Sequence, residues 1–126
     1  GQKQYVESML LDDNQHLYGI FDGERHIGNI VLGPINQHHK RAETTFVIGE
    51  RSYWGKGITS FAIGLVISIA KEQFSLNKLY AGCAGKNEGS KRVLIKNGFT
   101  LEGTRKNHLF YKGEFMDQLD FGLLLK

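Results

Sequence analysis

The chain has 126 residues, enough for one domain with one packed core. At 40% hydrophobic and 23% charged residues its composition excludes a disordered segment or a coiled coil, and its single cysteine, Cys83, excludes an internal disulfide and a cysteine zinc site and suits a reducing cytoplasm. The net charge of +3 favours an anionic ligand over a nucleic-acid face, and the longest apolar stretch, near residues 61–70, is interrupted by Gly64 and Ser68, which argues against a membrane span.

In chain order, residues 2–11 read as a short helix with Tyr5, Val6, Met9 and Leu10 on one side. Residues 16–21 and 25–32 read as strands joined by a hairpin turn at Asp22-Gly23. Gly33-Pro34 is expected to end the second of these, and residues 36–41 to form a polar loop. Residues 43–48 are a strand rich in Thr, Phe, Val and Ile. Residues 58–74 follow as a helix with an apolar stripe wide enough to be buried on most sides. Then come a strand over 78–83, a helix over 88–97 ending at Asn97-Gly98, and a hairpin of 99–111 and 115–124 turning at Lys112-Gly113. Hairpin, β-α-β-α and hairpin together predict an α+β fold: a mixed, mostly antiparallel sheet with flanking helices, one domain over 1–126.

The segment richest in chemistry is Gly49-Glu50-Arg51-Ser52-Tyr53-Trp54-Gly55-Lys56-Gly57-Ile58-Thr59, between a strand and the most apolar helix. Gly55 and Gly57 let a ligand approach the backbone closely and allow positive φ. The first amides of the helix are unpaired donors at the positive end of its dipole, a setting suited to phosphate or pyrophosphate. A Walker A loop does not fit, because five residues separate Gly49 from Gly55 and Gly57 follows Lys56. The dinucleotide pattern fails too, since Ser60 stands where its third glycine belongs and Asn77 where its acidic residue does. This is a phosphate loop of another kind.

Ser52-Tyr53-Trp54-Gly55-Lys56-Gly57 resembles the Gln/Arg-x-x-Gly-x-Gly/Ala turn of the GNAT superfamily of acetyl-CoA-dependent N-acyltransferases, with Ser52 in place of Gln or Arg. Asn87-Glu88-Gly89-Ser90, then Lys96-Asn97-Gly98-Phe99 and Leu101-Glu102-Gly103-Thr104-Arg105, are similar to the RimJ/RimL-like branch. The resemblance spans about residues 16–125. It implies that the strands at 43–48 and 78–83 are parallel and splay apart, and that the pantetheine arm of acetyl-CoA lies between them like an added strand. It further implies direct attack of a primary amine on the thioester, with positioning as the main source of rate. The acceptor could be a protein N-terminus, a polyamine, an amino sugar or an antibiotic.

The resemblance assigns the cosubstrate to Val47, Ile48, Gly49, Ser52, Trp54, Gly55, Lys56, Gly57, Ile58, Thr59, Asn87 and Ser90. A backbone amide near 47–49 would meet the oxyanion. Glu43 is the favoured base, ahead of Glu102 and Glu50, and its alternative reading is a solvated strand-end carboxylate. Many relatives place a proton-donating Tyr seven residues after the Asn, where this chain has Leu94. Ser90 matches a serine suspected of that role, and reads equally as a first-turn residue bonding the helix end or the CoA arm. Trp54 and Lys56 read either as ligand contacts or as local cover and a solvated lysine. Tyr111 reads as a cross-strand aromatic, and Cys83 as a small buried residue.

His38 and His39 are adjacent and expected to diverge, so no metal site is expected. The family's first strand and its helix are expected to be missing before residue 16. The exposed edge is then expected to be covered by a homodimer partner or a further segment. The expected cosubstrate is acetyl-CoA without a metal, and the expected partner an amine acceptor, with neither nucleic acid nor membrane. A catalytically degenerate CoA-binding module is the alternative, consistent with Ser52, Leu94 and the short N-terminus.

Overall fold

The computed structural model describes residues 4–12, 14–48 and 57–125. Among them, seven strands form a single sheet in the order β1-β2-β3-β4-β5-β7-β6. The strands are β1 (Gln4–Asp12), β2 (Gln15–Asp22), β3 (Arg25–Asn36), β4 (Arg41–Ile48), β5 (Lys78–Ala84), β6 (Thr100–Tyr111) and β7 (Glu114–Leu124). Helix α1 (Ile58–Glu72) joins β4 to β5, and α2 (Glu88–Lys96) joins β5 to β6. Every neighbouring pair is antiparallel except β4 and β5, which the α1 crossover makes parallel.

Alternation along the strands sends one set of side chains under the helices. Tyr18, Ile20, Ile30, Leu32, Ala42, Leu79, Ala81 and Phe121 are buried there against Ile58, Ala62, Ile63, Val66 and Ala70 of α1 and Leu94 of α2. Each large aliphatic side chain so buried contributes about 1.5–3 kcal/mol. Helix α2 closes with Gly98 at φ 92, where the amides of Gly98 and Phe99 donate to the carbonyls of Ile95 and Leu94. Buried Phe99 and Leu94 supply the apolar contact that accompanies this cap. The final hairpin turns through Lys112 (φ 51) and Gly113 (φ 77), the positive-φ pair that a two-residue turn between twisted strands needs.

Two local expectations are corrected. Residues 4–12 are a strand and not a helix: Tyr5 pairs with Phe21 across the sheet, their rings stacked at 5.1 Å. A strand therefore stands before the β2–β3 hairpin. Gly33-Pro34, a cis peptide bond, does not end β3, because the ladder to β4 resumes at Ile35↔Ala42 after a register shift. Gly33 is needed there, since an added Cβ would lie 2.5 Å from the Asn14 carbonyl oxygen.

Candidate active site

The parallel ladder between β4 and β5 consists of Arg41↔Lys78, Ala42↔Leu79 and Glu43↔Tyr80. Past that point both strands continue, but not with each other. β4 stays paired on its outer side with β3 as far as Gly28↔Ile48. β5 stays paired with β7 as far as Ala84↔Gln118. The sheet thus forks after Glu43 and Tyr80, and the facing edges of 44–48 and 81–84 are free of one another. Main-chain donors and acceptors along such edges seek partners, so the fork fits an extended chain carrying amides.

β4 ends at Ile48, and α1 is the next described element, beginning at Ile58. Gly57 caps it at φ 79 and ψ −3, and an added Cβ would meet nothing within 4 Å. The glycine is there for backbone conformation and not for space. The glycine cap of α1 makes no side-chain hydrogen bond and the helix's first turn holds no acidic residue, so no carboxylate of that turn competes for the leading amides. Ile58 is buried and Thr59 half-buried. Gly49, Glu50, Ser52, Trp54, Gly55 and Lys56 lie outside the described residues.

Helix α2 starts beside the end of β5. Asn87 Oδ1 accepts the Ser90 amide at 3.0 Å and caps the helix. Ser90 itself is half-buried in the first turn. Leu94 is fully buried in the core, so its position offers no proton donor to the fork.

Glu43 lies at the vertex of the fork, opposite Tyr80, on the sheet face away from the helices. It is half-buried and makes no hydrogen bond or ion pair with another described residue. Glu102 differs: its carboxylate is held by Lys78 Nζ at 2.8 Å. Val47, 63% exposed, stands on the open part of β4. Of the sequence candidates, Glu43 and Val47 thus lie on β4 at and past the end of the ladder, Ile58 and Thr59 in the first turn of α1, and Asn87 and Ser90 at the start of α2.

Other sequence candidates fall elsewhere. Tyr111 sits at the tip of the last hairpin, 60% exposed, with Lys112 Nζ 5.4 Å from its ring centroid. Cys83 is half-buried against the core, and burial pushes its thiol pKa up, with Asp120 and Glu88 adding to the rise and Lys91 opposing it. That is the setting of an inert thiol. His38 and His39 do not diverge, because their rings meet edge-on at 4.7 Å; among the described residues no cluster suited to a metal ion occurs. No helix among them is long and apolar enough to cross a membrane.

Sequence reasoning missed Thr44. It is 2% exposed, and its Oγ1 is buried without a hydrogen-bond partner among the described residues. A lone threonine in a strand gives no signal of this, because burial is set by tertiary packing and not by the local sequence.

A sheet forked between two parallel strands, which a glycine-started helix connects, is the acyl-CoA N-acyltransferase fold. The model of the acetyltransferase (GNAT) domain matches residues 1–100. A probable N-acetyltransferase of Bacillus subtilis, YjcK, is 32% identical over 96% of this chain and 67% of its own length. The spermidine N(1)-acetyltransferase of Escherichia coli K12 is 32% identical over 78% of this chain and 52% of its own. Among solved structures, the spermidine N-acetyltransferase from Vibrio cholerae in complex with CoA and spermine superimposes with a TM-score of 0.84. At 24% identity, covering 91% of this chain and 68% of that one, it speaks for the fold alone. The chain belongs to the GNAT acetyltransferase family. It spans about two thirds of YjcK and about half of the Escherichia coli enzyme.

Proposed function

We propose that this chain carries the catalytic fork of an N-acetyltransferase that moves an acetyl group from acetyl-CoA to a primary amine. One observation supports this most: the β4–β5 ladder stops after Glu43↔Tyr80 while each strand keeps its outer partner. The freed edges suit the amide-bearing arm, and the leading amides of α1, with the loop through Gly55 and Lys56, suit the diphosphate. Bound there, acetyl-CoA supplies the activated acetyl thioester.

The acceptor amine must be neutral to attack the carbonyl carbon. Glu43, unpaired at the vertex, takes the proton that the amine loses, directly or through a water. Main-chain amides near 47–49 stabilise the charge that develops on the carbonyl oxygen. As the carbon–sulfur bond breaks, the Ser90 hydroxyl gives a proton to the departing thiolate and regains one from solvent, to which Glu43 releases the proton it took. The products are an amide and free CoA thiol, so atoms and protons balance. Asn87 contributes by holding α2, and with it Ser90, through the cap.

The acceptor class is a protein N-terminus, a polyamine, an amino sugar or an antibiotic. Relatives of this chain include spermidine acetyltransferases, which supports a polyamine as the first amine to try. Buried Leu94 favours a second reading, a CoA-binding module without turnover. A thiol-release assay with acetyl-CoA and an amine panel, run beside calorimetry, separates the two. Thiol release that depends on an amine supports the enzyme. CoA binding with no release on any amine supports the module.

A further inference from the structure

Thr44 is the first residue of β4 past the fork, and its side chain belongs to the helix-facing side of the sheet. Its neighbours on that side are apolar: Leu32 directly across on β3, Ala42 before it, Phe46 after it, and Ala81 on β5 beyond the parting strands. The α1 residues buried over this face, Ile58, Ala62, Ile63, Val66 and Ala70, offer no polar side-chain atom either. Among the described residues Thr44 Oγ1 is the buried side-chain polar atom left without a partner. A hydroxyl in that state costs about 1–3 kcal/mol, and a valine of the same shape would avoid the cost. Such an atom calls for a partner that the protein side chains do not supply, a trapped water or a group of a bound ligand.

β4 has lost its neighbour in one direction, toward β5. We propose that the Thr44 hydroxyl is a binding group for the cosubstrate arm, hydrogen-bonded to an amide of that arm when the arm reaches the vertex of the fork. The inference rests on the acetyl-CoA reading given above and deepens it. A threonine hydroxyl both donates and accepts, and an arm amide presents a carbonyl and an N–H, so either half can meet it. The strands are already apart at this point, so the bond forms as the arm settles at the vertex. Thr44 then senses the arm and is indifferent to the nucleotide end.

The test is calorimetry on the wild-type chain and on Thr44→Val and Thr44→Ser, with two probes. One is acetyl-CoA, and the other is adenosine 3′,5′-bisphosphate, which lacks the arm. Thr44→Val is expected to weaken acetyl-CoA binding about fivefold to tenfold, the share of one hydrogen bond. Thr44→Ser, which keeps the hydroxyl, should stay within about twofold, and the arm-less nucleotide should bind all three proteins alike. The thermal midpoint of ligand-free Thr44→Val should equal or exceed that of wild type. Unchanged acetyl-CoA affinity in folded Thr44→Val overturns the proposal and leaves a hydroxyl satisfied by trapped water. Should the valine variant not fold, Thr44→Ala against Thr44→Ser makes the same comparison. No heat with wild type and either probe overturns the acyl-carrier reading itself, and this bond with it.

Discussion

Asn97 Nδ2 donates to Ser60 Oγ at 3.0 Å and to the Val93 carbonyl at 3.0 Å. The C-terminal cap of α2 is thereby fastened to the first turn of α1, the turn whose leading amides are proposed to meet the diphosphate. Asn97→Ala should cost about 1–2 kcal/mol of stability in urea denaturation, because a part-buried bond between two elements is lost. Ser60→Ala combined with it should be less than additive, and a double-mutant cycle measures the coupling. Full additivity would mean that the two side chains act independently.

Gly57 supports α1 through conformation alone. Gly57→Ala should destabilise by about 1–2 kcal/mol, the cost of a left-handed residue with a Cβ, although the site has room for one. Gly57→Asn should cost less, since Asn tolerates that conformation better. Equal thermal midpoints for wild type and the alanine variant would show that this helix start is relaxed in solution.

Glu43 and Ser90 give separable kinetics if they hold and release protons. Glu43→Gln should lower kcat by about 10²-fold near neutral pH with KM for acetyl-CoA little changed. Ser90→Ala should reduce turnover more than affinity; a residue serving only the helix end would leave both near wild type. Stopped assays with a saturating amine read these values.

Asp120 is held below the usual carboxylate range, first by the Arg105 guanidinium that donates to it at 2.8 Å and then by the Gln118 amide at 2.9 Å. A depressed folded-state value means that this carboxylate contributes stability above its unfolded value of about 3.9 and loses it as pH falls through the folded one. Arg105→Gln should therefore move the Asp120 titration upward, and its stability deficit should shrink on acidification. Carboxyl chemical shifts followed by NMR report the first effect. Because the pair is largely exposed, added salt should weaken both.

Much of the sheet was legible because long strands carry their own alternation and turn residues. Asn97-Gly98 announced the end of α2, and Lys112-Gly113 the last hairpin. The N-terminal strand was not legible. Tyr5, Val6, Met9 and Leu10 satisfy a helical stripe locally, and only the pairing with β2, with Tyr5 stacked on Phe21, decides for a strand. The fork itself has no local signature, since it depends on where two distant strands stop pairing; it came from the motifs around Gly55 and Asn87. Glu43 could be named from its place at a strand start, whereas its freedom from ion pairs, against the Lys78-bound Glu102, is a tertiary fact. Thr44 shows the same limit, because burial is a property of tertiary packing.

Three residue pairs join the four-strand leaf β1–β4 to the three-strand leaf β5–β7–β6, reinforced at their base by the amides of Asn77 and Lys78 on the Lys40 carbonyl. With so short a seam, the leaves are held together chiefly by the core they share under the two helices. A molecule spanning both would act as a splint, slowing amide exchange at the seam and in strands it never touches.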